Sequence, residues 1–248
     1  MQIYFFIIGA SVGSFLNVVI HRLPERKSVV TPRSSCPNCG ASIKPWNNIP
    51  LISYLLLRGR CPDCKAGISP RYPLVEFICA LIFLSSYNQF GVTPASIVYM
   101  FFSASLIAIT FIDLDHMIIP DVITLPGIPL GLLFAWLILP IGIESSVWGL
   151  VSGGALFFIL ALLVPGGMGG GDIKLIAMIG AFLGLKSVLF TIFLGSFIGS
   201  IVGITSIIIL GKGRKTKIPF GPFLAIGALL SLFHDEFLTD LYLQLFVN

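Results

Sequence analysis

Residues 173–210 read IKLIAMIGAFLGLKSVLFTIFLGSFIGSIVGITSIIIL, with only two charges, Lys174 and Lys186. A helix needs roughly 20 mostly apolar residues to cross the bilayer core. The stretch is long enough for two passages, 173–185 and 187–210, meeting at Lys186. Similar apolar segments lie at roughly 3–20, 73–88, 95–112, 122–140, 147–164 and 219–234. The segment at 173–185 is short, so it must be tilted or shielded within a bundle. Of the 248 residues, 56% are hydrophobic and 10% charged, against about 25% charged in a typical soluble domain. Too few polar side chains remain to cover a soluble core. This excludes a disordered chain, a nucleic-acid-binding domain and an ordinary soluble enzyme. The alternation of an outer-membrane barrel is also absent. The expected fold is an all-α polytopic membrane protein with about eight transmembrane helices.

One segment breaks the pattern. Residues 23–72 are rich in Pro, Ser, Asn and Arg and hold four of the five cysteines. We therefore expect a first transmembrane helix over 1–22, a small inserted domain over 23–72 and a transmembrane bundle over 73–248. Met1–Ile20 has no basic residue before its apolar run, so it reads as a retained helix and not as a cleaved signal.

Lys and Arg set the orientation. The first loop carries Arg22, Arg26, Lys27, Arg33, Lys44, Arg58, Arg60, Lys65 and Arg71, and the loop before the last segment carries Lys212, Arg214, Lys215 and Lys217. The turns at 89–94 and 141–146 carry none. With eight spans the two basic loops share one side, which makes that side cytoplasmic and places both termini outside. Only Lys186 falls on the opposite side.

Cys36-Pro-Asn-Cys39 and Cys61-Pro-Asp-Cys64 have the spacing of a zinc-ribbon-like site. Two such turns can converge four thiolates into a closed tetrahedral shell that leaves no position open for catalysis. Disulfides are the alternative, but thiols stay reduced in a cytoplasmic loop. The site is expected to hold structural zinc, the main stabiliser of so small a domain. Cys79, inside an apolar segment, reads as a buried small residue.

Acids gather at two helix ends on the cytoplasmic side. Asp113, Asp115, His116 and Asp121 lie between the segments at 95–112 and 122–140, and Asp172 and Lys174 follow Gly166, Gly167, Gly169, Gly170 and Gly171. Ionisable groups at the bilayer edge are costly and mark function. Asp121, after Pro120, reads first as a helix N-cap, and Asp172 could be one too. The glycine run suits close approach of another chain. It has no Walker-type Lys-Ser/Thr, and an acid beside it would repel phosphate. Two carboxylates from separate helices can act as a general acid/base pair sharing one proton. Residue type alone does not separate Asp113 from Asp115, although positions i and i+2 face different ways.

Two other readings use the same residues. Asp113, Asp115, Asp121 and Asp172 could hold Mg²⁺ against a lipid phosphate. A proton-relaying transporter would need acids deeper in the spans, where Glu76 stands nearly alone. Glu76 itself reads as a structural partner of a loop arginine. Gly195, Gly199 and Gly203 recur every four residues and form a close-packing face.

Six patches, in order, resemble the bacterial type IV prepilin peptidases, the bifunctional leader peptidase/N-methyltransferases. They are Gly13-Ser14-Phe15-Leu16-Asn17-Val18-Val19 before His21-Arg22-Leu23-Pro24, the two Cys-x-x-Cys pairs, Ile68-Ser69-Pro70-Arg71-Tyr72-Pro73-Leu74-Val75-Glu76, Phe111-Ile112-Asp113-Leu114-Asp115, Gly169-Gly170-Gly171-Asp172-Ile173-Lys174 and Ile218-Pro219-Phe220-Gly221-Pro222-Phe223. The resemblance implies an intramembrane aspartic endopeptidase of the Gly-x-Gly-Asp type. Asp113 and Asp172 match its catalytic aspartates, and Gly169, Gly171 and Lys174 match the loop supporting Asp172. It also implies residence in the bacterial inner membrane. The implied substrates are prepilins or pseudopilins of type IV pili or type II secretion, cut after a glycine beside their apolar helix. The new N-terminus would be methylated from S-adenosylmethionine. The residues contain no methyl-donor fingerprint and assign no oligomeric state.

Overall fold

The structure, a computed structural model, describes residues 1–164, 168–209 and 218–235. Among these the regular elements are helical, with no strand and two isolated bridges. Among the described residues five helices are long and apolar enough to cross a membrane: α1 (Gln2–Arg22), α3 (Arg71–Phe90), α4 (Pro94–His116), α6 (Gly142–Leu163) and α7 (Gly170–Ile208). Two apolar helices are shorter, α5 (Asp121–Leu137) and α8 (Gly221–Phe233). A five-residue helix, α2 (Ile52–Leu56), follows a 3-10 turn at Pro45–Asn48. At 1.5 Å per residue α8 is only about 20 Å long, short of the roughly 30 Å hydrocarbon core. Gly166, Gly167, Lys212, Arg214, Lys215 and Lys217, used above, lie outside the described residues.

The chain forms two compact units, Met1–Ala108 and Ile109–Asn248. In the first, α1 and α3 run antiparallel. Gln2 donates to Asn88 at one end (3.1 Å) and Asn17 to the Tyr72 carbonyl at the other (3.1 Å). Glycine sets the distance between them. A Cβ on Gly9 would stand 2.8 Å from the Ala80 Cα, and one on Gly13 would stand 2.6 Å from the Glu76 Cα. With little hydrophobic drive between helices in lipid, such backbone approach is what packs them.

The second unit explains how the opening stretch makes two passages. α7 covers Gly170–Ile208, but Gly184 breaks its helical backbone with φ 80° and ψ −178°, and the next amide, Leu185 N–H, donates to the Ser145 hydroxyl instead (3.2 Å). The chain doubles back there. A Cβ on Gly153 of α6 would touch both Ile176 and Val188, at 3.2 and 2.9 Å. In a straight helix those two residues would be about 18 Å apart along the axis. The reversal therefore falls at Gly184, two residues before the expected break at Lys186, because only glycine adopts that backbone without strain. Lys186 instead pairs with Asp235 (2.9 Å). The returning arm of α7 lies along α8: Gly195 and Gly199 face Phe223, and Gly203 faces Ile218. The expected close-packing face is thus filled within this chain. α6 begins at Gly142, earlier than expected, with Glu144 in its first turn, where the helix dipole favours an acid.

Candidate active site

Asp113 lies one turn before the end of α4 and is only 5% exposed. Met117, with φ 53°, closes the helix by donating its N–H to the Asp113 carbonyl (2.9 Å). Asp115 and His116 are exposed on the same last turn. The two acids that residue type alone left equivalent therefore have opposite environments. A buried carboxylate needs a donor, and Asp113 has one: the Gly221 N–H, at the start of α8, donates to its Oδ2 at 3.0 Å. A Cβ on Gly221 would stand 2.7 Å from that oxygen, so the approach depends on glycine. Gly221 carries no role by residue type; its one signal in the sequence is a glycine before Pro222 that opens an apolar helix.

Asp172 is the third residue of α7. Its Oδ2 accepts the Gly169 N–H at 3.2 Å, and its own N–H donates to the Gly169 carbonyl at 3.1 Å. Gly169, not Asp172, occupies the N-cap position. Asp172 thus sits where the exposed amides and dipole of a helix start favour negative charge. It lies within electrostatic reach of Asp113.

Ile119 links the two helix ends. It is the nearest side chain to a Cβ built on Gly171 (2.8 Å) and also lies 3.3 Å from one built on Gly221. Gly171 has no positive φ, so its need for glycine is close packing on Ile119 and not backbone conformation. Gly170 faces open space.

Asp121 is not the expected N-cap. Pro120 holds that position, and Asp121 is the first helical residue of α5. Both its oxygens accept from Lys174 Nζ, at 2.7 and 2.8 Å. That ion pair ties the first turn of α5 to the second turn of α7 and neutralises both charges. Glu76, in the first unit, is 8% exposed. It accepts the Leu51 N–H at 2.7 Å and the Ser14 hydroxyl, so its partners include the backbone of the inserted segment and a neighbouring helix.

The cysteines form a separate site in the first unit. Cys36 and Cys61 open two matching turns. Cys36 N–H donates to the Ala41 carbonyl and Gly40 N–H to the Cys36 carbonyl, both 2.9 Å. Cys61 N–H donates to Ala66 (2.8 Å) and Lys65 N–H to Cys61 (3.0 Å). Gly40 and Lys65, each four residues after the first cysteine, both have left-handed backbone (φ 71° and 60°). The four sulfurs lie within 4.8 Å of one another, and Cys36 and Cys64 Sγ are 3.9 Å apart. Zn–S bonds of about 2.3 Å in a tetrahedron require about 3.8 Å between sulfurs, so the arrangement fits zinc. All five cysteines are free thiols. The Ala66 N–H and the Asn38 side chain pull Cys64 down to about 6, and the Cys39 and Asn38 backbone amides lower Cys36, whereas Cys39, against the Ala41 N–H, is pushed up to about 12 by burial and the neighbouring sulfurs. The two lowered thiols are poised as thiolate ligands.

Comparison with known proteins places this architecture. Residues 7–90 match the family described as bacterial peptidase A24 N-terminal domain, and residues 100–204 match the type IV leader peptidase family. A prepilin leader peptidase/N-methyltransferase of Pseudomonas aeruginosa is 41% identical, over 96% of this chain and 92% of its own. Proteins of the same description from Aeromonas salmonicida (38% identical; 96% and 92% covered) and Legionella pneumophila (34%; 96% and 92%) are similar over the same extent. No solved structure matches. Two matches that follow one another along the chain, and relatives aligned almost end to end, show that this multi-pass membrane protein belongs to the type IV leader peptidase family.

Proposed function

We propose that this chain is a prepilin leader peptidase and N-methyltransferase whose peptidase centre is Asp113 and Asp172. The observation that carries the assignment is the gathering of one buried and one helix-capping carboxylate from α4 and α7 around Ile119. Of a pair sharing one proton, the ionised carboxylate takes a proton from water as the water oxygen attacks the scissile carbonyl. The protonated partner donates to the carbonyl oxygen. Collapse of the tetrahedral intermediate breaks the C–N bond, and a carboxylic acid supplies the proton to the leaving amine. The Gly221 N–H holds Asp113 in place from the start of α8, while the Gly169 N–H holds the Asp172 carboxylate and Gly171 lets Ile119 pack against that helix start. Lys174 acts at one remove, through its pair with Asp121.

The substrates are prepilins or pseudopilins, whose basic leader stays in the cytoplasm while the apolar helix lies in the bilayer. The basic loops orient the chain with the aspartates and cysteines facing the cytoplasm of an inner membrane and both termini outside. Residues 23–72, flanked by the first helix over 1–22 and the bundle over 73–248, act as a zinc domain in which Cys36, Cys39, Cys61 and Cys64 would hold the metal. Zinc there supplies a structural crosslink and no chemistry at the aspartates. S-adenosylmethionine supplies the methyl group for the new N-terminus.

Mass spectrometry of a prepilin incubated with the purified protein, with and without S-adenosylmethionine, tests the reading. It should show loss of the leader after a glycine in both samples and a gain of one methyl group only with the donor. An intact prepilin refutes it.

A further inference from the structure

The segment between the two spans of the first unit turns its apolar residues outward. Trp46 is 65% exposed, Ile52 54%, Leu55 73% and Leu56 78%. Ile52, Leu55 and Leu56 have the i, i+3, i+4 spacing of one helix face. The polar residue of that helix is inside: Ser53 accepts the Ile49 N–H (2.9 Å) and donates to the Trp46 carbonyl (3.0 Å), so it binds the 3-10 turn to α2. This is the reverse of a water-facing helix, and an outward apolar cluster of this kind marks an interaction surface.

Charge and depth identify the occupant. From Lys44 to Arg60 the chain carries three cations and no acid. Lys44, Arg58 and Arg60 are all exposed, and the Lys44 ammonium lies 5.7 Å over the Trp46 ring. A tryptophan edged by cations is the signature of the bilayer interface, where basic residues meet anionic headgroups. The depth follows from Leu51, whose N–H is held by Glu76 at 2.7 Å. Glu76 is five residues into α3, about 7.5 Å along its axis from Arg71. Interfacial helices bury their apolar face about 5–10 Å into the headgroup and acyl boundary. The first turns of α3 expose Tyr72, Leu74 and Phe77, which continues an apolar surface at that depth.

We propose that Trp46–Leu56 docks on the same bilayer that α1 and α3 cross, with its apolar face among the acyl chains and Lys44, Arg58 and Arg60 against anionic lipid phosphates. Glu76 is the buried latch that sets the depth of the segment. Cys61 follows α2 by only a few residues, so the docked segment holds the cysteine site at the membrane surface. The proposal rests on membrane insertion and not on the peptidase assignment.

Trp46 is its own reporter, since Trp136 and Trp148 are the other two tryptophans. The full chain with Trp136→Phe and Trp148→Phe is reconstituted in vesicles of phosphatidylglycerol and acyl-brominated phosphatidylcholine. Trp46 emission should be quenched by the brominated chains and protected from iodide. Leu55→Asp with Leu56→Asp should reverse that preference with zinc content unchanged. Subtracting the emission of a Trp46→Phe protein from that of the unaltered chain yields the same Trp46 share, should the double phenylalanine variant not fold. Trp46 reached by iodide but not by bromolipid overturns the proposal. So does Trp46 shielded from both, which would mean that protein, such as a bound prepilin or a second copy, covers the face.

Discussion

Gly221→Ala is the sharpest perturbation of the proposed centre, because it adds one methyl group and alters no carboxylate. The new Cβ would stand 2.7 Å from Asp113 Oδ2 and 3.3 Å from Ile119 Cδ1. The first distance is too short for any real contact, so the Asp113 carboxylate must withdraw from the Gly221 N–H, its donor at 3.0 Å. A hydrogen bond to a charged group contributes about 1.5–3 kcal/mol, and the carboxylate remains buried after losing it. At about 1.36 kcal/mol per tenfold, peptidase kcat/KM should fall roughly 10- to 150-fold. The assay is cleavage of a purified prepilin by the reconstituted enzyme, with thermal unfolding followed by circular dichroism. Gly154→Ala is the matched control. Its Cβ would meet Ala177 at an ordinary 3.5 Å, so activity should stay within about twofold while helix propensity adds up to about 1 kcal/mol of stability. A folded Gly221→Ala enzyme with unchanged kcat/KM would refute the argument that this amide positions Asp113.

Asp113→Asn and Asp172→Asn should each abolish cleavage in a folded, inserted protein. Asp115→Asn should keep substantial activity, and so should Asp121→Asn, because its pair with Lys174 is partly exposed and contributes at most about 1 kcal/mol. Kinetics of the four variants under one condition decide this, and full activity in either of the first two removes the pair. Gly171→Val should lower kcat/KM at least about tenfold by driving Ile119 away, with zinc content unchanged; normal kinetics would show that the Ile119 contact is not needed. Metal analysis of the purified chain should find about one zinc, and changing any of Cys36, Cys39, Cys61 or Cys64 to Ser should lower that figure and destabilise the inserted segment; metal-free protein with disulfides would exclude the zinc site. In intact cells, cysteines placed at Val92 and Glu144 should react with an impermeant thiol reagent while one at Arg26 should not, and the reverse pattern would invert the orientation.

The apolar runs were legible in one dimension because spanning a bilayer demands about 20 apolar residues in sequence, whatever their neighbours do. The paired cysteines were legible for a similar reason, since each Cys-x-x-Cys turn is local and only the meeting of the two turns is not. The reversal of α7 is different. The charge at Lys186 suggested the break, but the backbone turns at Gly184, where a Cβ would strike Ser145 and where φ is positive. That choice depends on the facing helix. Asp113 and Asp115 look alike as residues and differ only because α8 starts beside one of them. Asp121 had every local mark of a cap and instead holds Lys174, a partner 53 positions away. Gly221 had no charge to draw notice, and its value lies in an amide aimed at a carboxylate 108 residues earlier. Composition and spacing determine which segments enter the membrane and where chemistry-bearing residues gather along the chain. Which carboxylate is buried, and which amide meets it, is decided by non-local contacts that exist only once the helices have packed.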